Sequence, residues 1–127
     1  MGRKKVLVID DEENFTKLIK LNLEATGGFE VKTENNGLNA FAAAKRFKPD
    51  VVLLDIKMPE KNGGEVAFEI KNDSELKDTP VIFITALISD QDVESRNGFI
   101  GGHHYIAKPV KTQKLIDIIE LSIRERG

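Results

Sequence analysis

The chain has 127 residues, no cysteine, and 19 Lys plus Arg against 21 Asp plus Glu, for a net charge of −2. That length fits one domain burying about two-thirds of its unfolded surface, expected to span residues 1–127. The composition excludes disulfides and thiolate chemistry, and the charge balance makes no electrostatic case for nucleic acid or an anionic membrane. No apolar stretch approaches the ~18 residues of a spanning helix. The N-terminal basic residues precede only four apolar ones, too few for a secretory signal, so a cytoplasmic location is expected.

Strand and helix patterns alternate along the chain. Lys5–Ile9 reads as a strand, and Glu12 to Ala25 as a helix with Phe15, Leu18, Ile19 and Leu23 on one face. Gly27-Gly28 stops that helix. Phe29–Thr33 alternates in character, which suits a sheet edge. Asn36-Gly37 turns the chain into an Ala-rich helix, Leu38 to Phe47, ended before Pro49. Asp50 leads into a third strand, Val51–Leu54. The loop Ile56–Asn62 carries Met58-Pro59, and a helix from about Glu65 to Lys71 follows Gly63-Gly64. After a polar connection, Val81–Ile84 is a fourth strand. Asp90 to Ile100 reads as a weak, polar helix ended by Gly101-Gly102, and His104–Ala107 as a fifth strand. Thr112 can N-cap a last helix running through Ile123. Five such units predict a doubly wound α/β fold with right-handed crossovers and helices on both faces.

Ligands of open parallel sheets bind beyond the carboxyl ends of the strands. Asp10 and Asp11 follow the first strand, Asp55 the third, Thr85 the fourth and Lys108 the fifth. Three carboxylates, a hydroxyl and an ammonium are therefore expected at one rim, a set able to hold a divalent cation and handle a phosphoryl group. Asp11 could instead start the first helix as an N-cap. Adjacent carboxylates at a buried strand end repel each other without a cation, however, and Mg²⁺ takes one or two carboxylates plus waters and a phosphate oxygen. Asp55 leads into a Met-Pro loop rather than a helix, which leaves a capping role less plausible. A carboxylate there can attack phosphorus and form an acyl phosphate. Mg²⁺ and a nearby lysine would offset the repulsion between two anions.

Most lysines are solvated, but Pro109 holds the backbone of Lys108 extended and permits a cis bond. Thr85 suits a strand by propensity alone. Its place among the strand ends makes it a candidate switch, and small Ala86 beside it would leave a phosphate approachable. Tyr105 is the only tyrosine and reads either as packing or as a side chain that swings inward when Thr85 moves.

These marks, in order, are Val-Leu-Val-Ile-Asp10-Asp11, Asp55-Ile-Lys-Met58-Pro59, Gly63, Thr85-Ala86 and Tyr105-Ile-Ala-Lys108-Pro109. Across nearly its whole length the chain resembles the receiver domain of two-component response regulators. The resemblance implies the (βα)5 flavodoxin-like fold, a five-stranded parallel sheet of order 2-1-3-4-5. It implies phosphorylation of Asp55 by a histidine kinase or phosphotransfer protein. Asp10, Asp11, Asp55 and the backbone carbonyl of Lys57 would hold Mg²⁺. Thr85 and Lys108 would bind the phosphoryl group, and Thr85 and Tyr105 would report it to the face of the fourth helix, fifth strand and fifth helix, where an output partner or effector domain docks. Such a module is a phosphoacceptor that promotes its own phosphorylation and dephosphorylation rather than a conventional enzyme.

The chain departs from the family pattern at two places. His103-His104 stands where small or acidic residues are common, and Leu87 where many relatives are polar. Adjacent residues on a strand point to opposite faces, which argues against a metal shared by the two histidines. With the acidic pairing residues missing, a monomer is expected before phosphorylation. The alternative reading is an aspartyl phosphohydrolase of the haloacid-dehalogenase type, which places its acids as Asp-x-Asp after the first strand; here they are adjacent.

Overall fold

The computed structural model describes residues 2–86, 99–100 and 103–126. The strands β1 (Lys4–Ile9), β3 (Val51–Leu54) and β4 (Val81–Thr85) are short apolar runs. Every residue of β3 and β4 is buried, as strands covered on both faces require. β2 (Phe29–Glu34) begins with alternating buried and exposed residues and forms one edge. β6 (His103–Ala107) lies beyond β4. The sheet order is β2-β1-β3-β4-β6, all parallel, so the expected 2-1-3-4-5 arrangement is present.

A sixth strand, β5 (Phe99–Ile100), pairs antiparallel with β6 and extends that edge. This corrects the expected helix through Ile100. Phe and Ile are β-prone types, and Phe99 and Ile100 find partners in His104 and His103 of β6. The remainder of that expected helix and Leu87 fall outside the described residues.

Alternation along the strands sends two apolar sets to opposite faces. Leu7, Ile9, Val52, Leu54 and Phe83 pack with Ala40, Ala43 and Ala44 of α2 (Gly37–Phe47) and Val66, Ala67 and Ile70 of α3 (Gly63–Lys71). Val6, Val8, Leu53, Ile82, Ile84 and Ile106 pack with Ile19 and Leu23 of α1 (Glu13–Glu24) and Leu115 and Ile119 of α4 (Thr112–Arg126). Among the described residues no helix is long and apolar enough to cross a membrane.

Several ends differ from expectation. Leu18 is 53% exposed, and buried Thr16 takes its place on the inner face of α1. The N-cap of α1 is Glu12, not Asp11. Helix α3 begins at Gly63 because Asn62 and Glu65 form a reciprocal capping box. Thr112 is the first residue of α4 rather than its cap, and α4 runs on to Arg126. At the other helix ends the local signals act as expected. Gly27 takes a left-handed φ of 82° after α1, and Asn36 caps α2 by accepting from the Leu38 amide.

Candidate phosphoryl and metal site

The strand ends carry the candidate residues into one cleft. The Asp10 amide donates to the Glu34 carbonyl, and the Asp55 amide to the Ile9 carbonyl at 3.0 Å. The Lys108 amide donates to the Thr85 carbonyl at 2.9 Å. Each bond extends a strand ladder by one step, so the side chains that follow are placed by backbone the sheet already holds. Asp10, Asp55 and Thr85 are buried, while Asp11 and Ala86 are exposed at the mouth. Lys57 is exposed in the loop after Asp55.

That loop is closed at both ends. The Gly63 amide donates to the Ile56 carbonyl at 2.7 Å, and Met58 is buried in the core. A Cβ at Gly63 would run into the Asp55 carbonyl oxygen and lie 2.9 Å from the Ile56 Cα. Only glycine allows α3 to start this close to Asp55.

Carboxylate oxygens of Asp10, Asp11 and Asp55 all lie within 4.8 Å of one another. Lys108 Nζ donates to Asp10 Oδ2 at 2.8 Å and lies 4.0 Å from Asp55 Oδ2. The Lys108–Pro109 bond is cis. Burial pushes the Asp55 carboxyl up to about 6; the Asp10 charge adds to this, and Lys108 opposes it. Burial also raises Asp10 against the pull of Lys108. Burial alone would lower Lys108, but hydrogen bonds to Asp10 and Glu12 outweigh it and hold the ammonium above its ordinary value. The cleft thus concentrates more negative charge than its lysine neutralises. An all-oxygen, anionic donor set of this kind fits a hard divalent cation.

Thr85 ends β4 beside Ala107 of β6, and two residues back along β4 Phe83 packs its ring 5.0 Å from the ring of half-buried Tyr105. His103 meets the other side of this cluster edge-to-face, 5.2 Å from Phe83. His104 turns the opposite way, where its Nε2 lies 2.8 Å from Glu125 Oε1. The two imidazoles therefore share no ligand, as the strand geometry requires.

Sequence reasoning did not single out three residues that touch this site. Glu12 Oε1 accepts from Lys108 Nζ at 2.9 Å. The Phe15 ring centroid lies 4.3 Å from the same ammonium, a cation–π distance. The Asn35 carboxamide donates to the Asp10 carbonyl at 2.8 Å and the Thr16 hydroxyl at 2.9 Å, tying the end of β1 to α1. Glu12 had one visible signal, a third acid directly after the Asp pair.

A family model described as the response regulator receiver domain matches residues 6–120. The polar-differentiation response regulator DivK of Brucella anthropi is 38% identical over 118 residues, covering 92% of this chain and 94% of that protein. The chemotaxis protein CheY4 of Vibrio cholerae has a similar structure, with a TM-score of 0.80 and 26% identity over 95% of this chain and 99% of that one. The receiver domain of a sensor histidine kinase from Pseudomonas aeruginosa, solved with magnesium coordinated in its active site cleft, has a TM-score of 0.80 and 25% identity over 97% of this chain and 99% of that one. None of these matches supports the dehalogenase-type alternative. The chain belongs to the response regulator receiver domain family and is a phospho-accepting signalling module.

Proposed function

We propose that Asp55 is the phosphoacceptor, charged by a histidine kinase or phosphotransfer protein, with Mg²⁺ held by Asp10, Asp11, Asp55 and the Lys57 backbone carbonyl. One observation carries the reading: three carboxylates from two strand ends and one ammonium meet within a few ångströms at the rim of a parallel sheet. Bound there, Mg²⁺ would screen the attacking carboxylate from the anionic donor and steady the charge on the transferring group. Asp55 forms the new oxygen–phosphorus bond as the donor's bond to phosphorus breaks, and the leaving group keeps that electron pair. Lys108 draws the phosphoryl oxygens toward it, and the Thr85 hydroxyl donates to one of them. Small, exposed Ala86 leaves the approach open, also to the water that later hydrolyses the acyl phosphate, so the domain promotes both its own phosphorylation and its dephosphorylation.

The Thr85–phosphate hydrogen bond exists only in the phosphorylated state and supplies the differential contact a switch needs. Tyr105, already packed on Phe83, follows Thr85 inward and changes the surface offered to an output partner or effector domain. The reading includes a single receiver domain over residues 1–127, a cytoplasmic location, and no direct contact with nucleic acid or membrane.

Incubation with acetyl phosphate and Mg²⁺ is expected to add one phosphoryl group to the intact mass, and Asp55→Asn to abolish the gain. Thr85→Ala should still be phosphorylated while losing the Tyr105 ring shift that beryllofluoride induces. A full gain of mass in the Asp55→Asn protein would refute the assignment.

A further inference from the structure

We propose that Glu12 competes with the incoming phosphoryl group for Lys108 and so sets the rate at which Asp55 is charged; the inference rests on the phosphoacceptor reading above. The Lys108 ammonium is held mainly on the β1–α1 side of the cleft. Asp10 and Glu12 accept from it at 2.8 and 2.9 Å, the Phe15 ring lies 4.3 Å away, and Asp55 Oδ2 is more distant at 4.0 Å. Two of its three N–H donors are engaged before any phosphoryl oxygen arrives. The Asp10 contact belongs to the core of the site. The Glu12 contact does not.

Among the described residues the Glu12 side chain bonds to Lys108 alone. Glu12 occupies the N-cap of α1, yet its side chain makes no capping hydrogen bond. Glutamate is not among the favoured N-cap residues, since its longer side chain overshoots the helix amides. Here that length lets it reach a lysine 96 residues away in sequence. Its backbone is fixed beside the cleft, because Asp10 Oδ1 accepts from the Glu12 amide at 2.9 Å. The side chain itself remains 66% exposed, so it can swing out to water when a phosphoryl oxygen displaces it. Until then its charge offsets Lys108 and repels anionic donors.

The test compares initial rates of acetyl phosphate labelling, followed by intact mass in saturating Mg²⁺, for wild type, Glu12→Gln and Glu13→Gln. Glu12→Gln is expected to react about two- to fivefold faster at low salt, the span an exposed charge pair produces. The gap should narrow as salt screens the pair. Glu13 begins α1 without touching Lys108, so Glu13→Gln should stay near the wild-type rate. Apparent affinity for beryllofluoride should rise in Glu12→Gln by a similar factor, a readout that a purely helical role would not move. A Glu12→Gln rate at or below wild type, or an equal gain in Glu13→Gln, would overturn the inference while leaving the phosphoacceptor reading intact. A wild-type protein that takes up no phosphoryl group would overturn both.

Discussion

At the scale of single residues, Asp55 stands out as a carboxylate placed where its charge is costly. Burial lifts it from an ordinary value of 3.8 to about 6, and the nearby Asp10 charge adds to the effect. Between those two values the folded chain holds more proton at Asp55 than the unfolded chain does. Stability attributable to this group therefore falls as pH rises through that window, and the loss is complete above it. Asp55→Asn removes the buried charge at nearly constant shape. In metal-free buffer at pH 7 it is expected to stabilise the protein by roughly 1–3 kcal/mol, from about 1.4 kcal/mol per pH unit. The gain should vanish near pH 4, where Asp55 itself is neutral. Urea unfolding in chelator at the two pH values measures this, and an unchanged midpoint at pH 7 would show that Lys108 fully compensates the charge. Asp10, Asp11, Asp55, Thr85 and Lys108 were legible in the sequence because each follows an apolar run, and parallel strands deliver such residues to one rim. Glu12, Phe15 and Asn35 were not, because their contacts depend on where side chains meet across the sheet.

At the scale of elements, the boundaries that matter are those that aim Asp55. Gly63 lets α3 begin against the Asp55 carbonyl, and Asn62 caps the same turn with Glu65. Gly63→Ala must push backbone against backbone, since the Asp55 carbonyl has no rotamer by which to escape. It is expected to cost about 1–3 kcal/mol, the range for forced overpacking, and to slow phosphorylation by displacing Asp55. Asn62→Ala should cost about 1 kcal/mol through the lost cap while leaving the Asp55 backbone in place. Urea midpoints and labelling rates of the two variants separate the effects; equal labelling in Gly63→Ala would show that α3 absorbs the shift alone. Strands β1, β3 and β4 were readable as elements because their apolar runs are nearly unbroken. β5 was not, since two residues carry no periodicity and their pairing depends on β6 alone. Leu18 misled for a related reason: it fits a helical face by spacing, but the sheet covers only the narrower stripe of Thr16, Ile19 and Leu23.

At the scale of the whole molecule, two apolar layers sandwich one sheet. The alternation of elements and the handedness of crossovers predict the doubly wound architecture, whereas the 2-1-3-4-5 order came from the family resemblance. What the sequence could not disclose is which apolar residues stay outside. Among the described residues the large ones are Leu18, Leu21, Leu38 and Phe68. Leu18 and Leu21 lie on α1 in one layer, while Leu38 and Phe68 lie on two separate helices in the other. Phe68 is flanked on its own helix by Glu65 and Glu69. A stable interface buries on the order of 1,200 Å² or more around a clustered set of anchors, and these four side chains form no such cluster. At the two positions before Tyr105 the edge near β6 carries His103 and His104 in place of acidic residues. Burial, with the Lys71 charge, holds His103 below the usual imidazole range, which favours the neutral ring at pH 7. His104 is engaged with Glu125 of its own chain. We therefore expect a monomer at micromolar concentration before phosphorylation, and at most weak self-association with beryllofluoride bound. Sedimentation in the two states measures this. A tight dimer of the unmodified protein would contradict it, and would direct substitution to Ile118 and Leu121, half-buried apolar residues on α4.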